Sequence, residues 1–200
     1  MRLVIASLFV SLLSVAASAA PVVGEAAPAF SGRGSNGESV SLADFAGKTV
    51  ILEWTNDQCP YVRKHYESNN MQTLQTEAAG EGVVWISIIS SAPGKQGHVA
   101  PDEANALSAS RGASPSHVVL DETGAIGRLY DAKTTPHMFI IDGTGTLVYA
   151  GGIDDKPTTR VSDIEGATNY VRLALAEMKA GQPVSVPGST PYGCSIKYAE

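Results

Sequence analysis

The stretch Trp54-Thr55-Asn56-Asp57-Gln58-Cys59-Pro60-Tyr61-Val62 decides how this chain is read. Before it, Thr49-Val50-Ile51-Leu52-Glu53-Trp54 is a continuous β-prone run; after it, apolar positions at Tyr61, Val62, Tyr66, Met71 and Leu74 follow helical spacing to about Ala78. Cys59 therefore stands where a strand has turned and a helix is about to start. Proline at the first helical turn gives up an N–H that would be unpaired in any case, and the remaining free N–H groups and the positive end of the helix dipole favour a thiolate. The position predicts a lowered thiol pKa. Arg63 and Lys64 are expected to add exposed, salt-screened positive charge one turn on.

Working outward, Val83-Val84-Trp85-Ile86-Ser87-Ile88-Ile89 is a second run too apolar for an edge strand, so the two runs read as central parallel strands joined by a right-handed βαβ crossover. Ser68-Asn69-Asn70 interrupts the crossover helix. Upstream, Asn36-Gly37 between Ala29-Phe30 and Val40-Ser41-Leu42 signals an N-terminal hairpin. Downstream come a helix over Pro101–Ser110, a strand at His117–Leu120, and a hairpin from Met138–Asp142 through Gly143-Thr144-Gly145 to Thr146–Ala150. A helix over Ile164–Ala180 stops at Gly181, and a Pro/Gly-rich tail with Cys194 is read as irregular and mobile.

Arg2, the apolar stretch Leu3–Val15 and Ala17-Ser18-Ala19 fit a secretory signal peptide over residues 1–19, leaving 20–200 as one domain. The apolar stretch is too short to span a bilayer, and no later run reaches that length, so no transmembrane span is expected after cleavage. A periplasmic or secreted location puts both cysteines in an oxidising compartment. With 14 Lys+Arg against 20 Asp+Glu and no basic run, a nucleic-acid partner is not expected. Two cysteines are too few for a disulfide-rich scaffold or a four-thiolate zinc site.

The turn Trp54–Val62 resembles the active-site turn of the thioredoxin-like superfamily. Thr134-Thr135-Pro136-His137 is similar to that superfamily's cis-proline loop, and Asp142-Gly143-Thr144-Gly145 to the hairpin after it. The overall order resembles the redoxin branch, which includes alkyl hydroperoxide reductases, thiol-specific antioxidant proteins and exported relatives; Gly193-Cys194-Ser195-Ile196-Lys197 resembles an ending found in a redoxin-like subgroup. The resemblance implies an α/β thioredoxin-like fold: a central mixed β-sheet flanked by helices, here with an N-terminal β-hairpin extension. It also implies a thiol-based oxidoreductase or antioxidant, with a protein thiol/disulfide or a peroxide as substrate and an external thiol as reductant. No cofactor or bound metal is expected.

Two departures shape the chemistry. Val62 holds the place of the second Cys of a CxxC motif, which excludes ordinary dithiol exchange within the turn. Asn56 and Leu52 hold the places of the Thr/Ser and Pro of the peroxiredoxin pattern. That leaves Cys59 as nucleophile and, by the resemblance, Cys194 as a remote resolving cysteine. Pro136 is expected to follow a cis peptide bond and to face Cys59. Glu53, where aligned thioredoxins carry a buried acid, is either a relay for the thiol proton or a solvent-facing strand residue. Asn56 either bonds the sulfur or caps the turn. His137 either approaches Cys59 or is structural; His65, His98 and His117 are left outside the site, with His65 pointing away from the turn. Trp54 and Trp85 read as core or pocket wall, and Arg128 as an optional anion-stabilising group. Two other readings stand beside the enzyme: a soft-metal module binding copper through Cys59, Cys194 and His137, and a non-catalytic fold stapled by a Cys59–Cys194 disulfide.

Overall fold

The computed structural model describes residues 20–200; the proposed signal peptide lies outside the described residues. The two apolar runs form β3 (Val50–Trp54) and β4 (Val84–Ile89), parallel neighbours in register Val50↔Val84 to Trp54↔Ile88. Every residue of both strands is buried, which is what a sheet covered on both faces demands. β5 (His117–Leu120) extends the parallel set, and the hairpin of β1 (Ser31–Gly34) and β2 (Ser39–Ser41) adds antiparallel to its edge. On the other side β3 pairs antiparallel with β7 (His137–Ile141), which turns into β8 (Leu147–Gly151). The order is β2-β1-β5-β4-β3-β7-β8, a mixed sheet with the expected N-terminal hairpin at one end.

Period-two alternation divides the core. Ile51, Trp85, Met138 and Ile140 face α1 (Pro60–Glu67), α2 (Asn70–Gly80) and α5 (Tyr170–Lys179), packing with Val62, Met71, Leu74 and Val171. Leu52, Trp54, Ile86, Ile88 and Phe139 face the opposite side, where Ile126 and Leu129 of α4 (Ala125–Leu129) and Tyr130 close the layer. The α1–α2 break falls at Asn69, whose backbone is left-handed at φ 61. A smaller cluster packs α3 (Pro101–Ser110) through Ala104 and Leu107 against Val118 and Leu120.

Two expectations need correction, and one helix has no counterpart in the sequence reading. The last helix begins at Tyr170 rather than Ile164: Val161–Asp163 is a 3-10 turn, and the Asn169 side chain caps the helix by accepting from the Arg172 N–H at 2.9 Å. The short helix α4 gave no apolar periodicity long enough to read. The C-terminal tail is docked: Cys194–Ser195 forms β9, paired antiparallel with β6 (Thr134–Thr135), and Ile196 and Lys197 exchange backbone bonds with Lys133 and Ala92. No helix among the described residues is long and apolar enough to cross a membrane.

Candidate active site

Cys59 is the N-cap of α1, with Pro60 in the first helical position. The backbone reaches this cap through Asn56, whose Oδ1 accepts from the Gln58 N–H at 2.9 Å and whose side chain lies over Gly97. Asn56 thus serves the turn, and none of its hydrogen bonds reaches the sulfur. Across from the cap, the Thr135–Pro136 bond is cis, and the Thr135 carbonyl accepts from Cys59 Sγ at 3.1 Å. Residue 194 is the register partner of Thr135, so the tail delivers its thiol to the same point. Cys59, Cys194 and the loop at Pro136 are brought together, and both sulfurs are free thiols.

Gly193 explains how the tail comes so close. Its φ is +144, and a Cβ there would overlap the Thr135 carbonyl oxygen. The neighbouring stretch is also lined by glycine: a Cβ on Gly151 would strike Ser189, and one on Gly124 or Gly127 would strike Tyr198. The result is that Cys59 is 0% exposed beneath the tail.

The electrostatics separate the two thiols. Burial pushes Cys59 up, and its bond to the Thr135 carbonyl also favours the protonated form. Against these act the Cys194 thiol, the Val62 N–H in the first turn of α1, the Thr135 side chain and the Cys194 N–H, and the balance holds Cys59 below the ordinary thiol range. The buried Thr135 hydroxyl has no hydrogen-bond partner among the described residues. Cys194 is pushed up to about 12 by burial and by the neighbouring Cys59 sulfur.

Glu53 is buried, not solvent-facing. Its carboxylate accepts from Tyr66 Oη at 2.9 Å, Trp85 Nε1 at 2.8 Å, Ser87 Oγ at 3.0 Å and Gln75 Nε2 at 3.4 Å. Among the described residues no hydrogen bond joins it to Cys59. His137 is structural: Nδ1 accepts from the Lys133 N–H at 3.2 Å, the ring stacks on Phe139, and burial lowers its pKa to about 4. Arg128 holds the tail, bonding the Ala199 carbonyl and lying over the Tyr198 ring, rather than facing the thiols. Among the described residues no group of three His, Cys, Asp or Glu is arranged to hold a metal ion, so the copper reading has no third ligand.

Two residues further along α1 are buried against the tail residue Tyr192. Lys64, expected in solvent, is buried, its Nζ 3.5 Å from Asp154 Oδ2 and 2.7 Å from the Lys156 carbonyl. His65, left outside the site, is buried with its Nε2 3.3 Å from Tyr192 Oη, and none of its hydrogen bonds among the described residues reaches Cys59. The partners of Lys64, Asp154 and Lys156, and one of the two of His65, Tyr192, come from beyond residue 150, so no local pattern announces them.

A family model for Redoxin matches residues 22–168. Comparison with curated proteins returned no match. Among solved structures, a hypothetical protein from Sinorhizobium meliloti 1021 is 23% identical with TM-score 0.77, covering 91% of this chain and 97% of that one. An uncharacterized conserved protein from Geobacillus kaustophilus is 25% identical with TM-score 0.72, covering 89% and 93%. A putative thiol:disulfide interchange protein DsbE from Chlorobium tepidum is 25% identical with TM-score 0.53, covering 66% and 85%. The cysteine at a strand-to-helix turn, the cis-proline loop opposite it, the mixed sheet and the family match converge: the chain belongs to the Redoxin family and has the thioredoxin-like fold of thiol-disulfide oxidoreductases.

Proposed function

We propose that this protein is an exported thiol-disulfide oxidoreductase in which Cys59 is the nucleophile and Cys194 the resolving cysteine. The observation that carries the reading is the convergence of both free thiols at the Thr135–Pro136 loop. The Cys59 thiolate attacks a substrate disulfide, forming one S–S bond as one substrate thiolate leaves and takes up a proton. Cys194, giving up its proton, attacks the Cys59 sulfur and expels the second substrate thiol. The substrate is reduced by two electrons, and an external thiol reductant resets the Cys59–Cys194 disulfide. A disulfide substrate is favoured over a peroxide by the absence of the peroxidase Thr/Pro pattern at Asn56 and Leu52 and by the interchange protein among the structural relatives. Export rests on the signal-peptide pattern of residues 1–19.

Intact-mass analysis with thiol trapping tests this. Cys194→Ser should accumulate a mixed disulfide on Cys59, and Cys59→Ser should lose turnover. Failure of the two sulfurs to couple under any oxidant would reject the reading.

A further inference from the structure

The tail that brings Cys194 to Cys59 is held in several places, one of them two residues upstream. Tyr192 sits alongside α1, its ring edge-to-face with Tyr61 at 5.9 Å and beneath Lys64 Nζ at 5.4 Å. A phenolic oxygen has one proton to give and two lone pairs. Here all three are used. Asn70 Nδ2 donates to His65 Nδ1 at 2.9 Å, which leaves the His65 proton on Nε2, facing Tyr192 Oη at 3.3 Å. Lys64 Nζ donates to the same oxygen at 3.4 Å, and Tyr192 Oη donates to Asp154 Oδ1. Lys64 and Asp154 form an ion pair with both side chains essentially buried, so the charges have little water to fall back on if the phenol leaves.

We propose that Tyr192 is a positioning residue: locked by Lys64, His65 and Asp154, it fixes the tail so that Cys194 lies against Cys59. The inference rests on the thiol-exchange reading and adds to it the element that keeps the resolving sulfur in range. One helix does both jobs. α1 begins at Cys59 and carries Lys64 and His65 near its other end, so nucleophile and anchor share a rigid body, with only Gly193 between the anchor and Cys194. Gly193 lies against the Thr135 carbonyl, where a Cβ would not fit, and links Tyr192 to Cys194 through a single residue.

The test uses the full mature chain and Tyr192→Phe, which keeps the ring and removes the hydroxyl. In a Cys194→Ser background, Cys59 is alkylated only when the tail lifts, so its rate follows the open population. Losing a hydroxyl bonded to charged groups should raise that rate on the order of ten- to a hundredfold. Tyr130→Phe supplies the comparison for general destabilisation, because Tyr130 Oη bonds the Pro28 carbonyl at 2.7 Å in the layer on the opposite side of the sheet. It should leave the rate within about twofold. In the two-cysteine protein, equilibration in glutathione buffers should show the Cys59–Cys194 disulfide weakened by Tyr192→Phe. Equal alkylation rates in Tyr192→Phe and its parent, or equal acceleration by Tyr130→Phe, would overturn the anchor. A two-cysteine parent that never forms the link would overturn the thiol-exchange reading instead, leaving the alkylation rates to judge the anchor by themselves.

Discussion

At the scale of single residues, the balance of forces on Cys59 is the most informative feature. Desolvation alone would leave an inert buried thiol, and the polar groups of Cys194, Val62 and Thr135 around the sulfur offset it. The expected outcome is a pH profile of Cys59 alkylation whose midpoint lies below the free-cysteine value of about 8.5. A midpoint at or above it would mean that burial dominates. The cap position was legible because proline after a cysteine at a strand end is a local signal. Glu53 was half legible: its register places it on a central strand, but whether its face was covered depended on Tyr66, Gln75, Trp85 and Ser87, which arrive from three other elements.

At the scale of elements, β6 and β9 form a pair of only two residues each, yet they bring together the loop and the tail. The cis-proline loop could be read from Thr134–His137. The docking of the tail could not, since a Pro/Gly-rich ending carries the same composition whether it is loose or seated in a glycine-lined track. Gly193 is the residue where the two differ. Gly193→Ala is expected to unseat β9, because the new methyl would overlap a backbone carbonyl that cannot rotate away, and its φ of +144 suits glycine. Oxidation of Gly193→Ala should then give at least tenfold slower Cys59–Cys194 coupling, read as loss of the trapped-thiol difference over time. Coupling at the wild-type rate would show that the seat is not needed.

At the scale of the whole molecule, the two central parallel strands and the two hairpins followed from runs of apolar residues and their spacing, and the mixed sheet from the resemblance, whereas the buried charges did not. Lys64 on a surface helix reads as solvated until Asp154, from the segment after β8, takes up its charge. Burial, with Lys64 nearby, lowers His65 to about 3, and burial lowers His137 to about 4. Unfolded histidine titrates near 6.5, so below that pH the unfolded chain gains protons that the folded chain refuses. Stability is thus fully present above about pH 6.5 and falls as the pH drops, by about 1.4 kcal/mol per unit for each histidine. Urea unfolding at pH 7 and pH 5 should differ by on the order of 2–4 kcal/mol, and equal stabilities would show that these rings are hydrated. The covered sulfur has a kinetic corollary as well. Cys59 at 0% exposure cannot meet a reagent until the tail has moved. At low oxidant its reaction rises with dose, but at high oxidant it reaches a plateau set by how often the tail lifts, and beyond that plateau the protein responds to how long an oxidant persists rather than to how much is present.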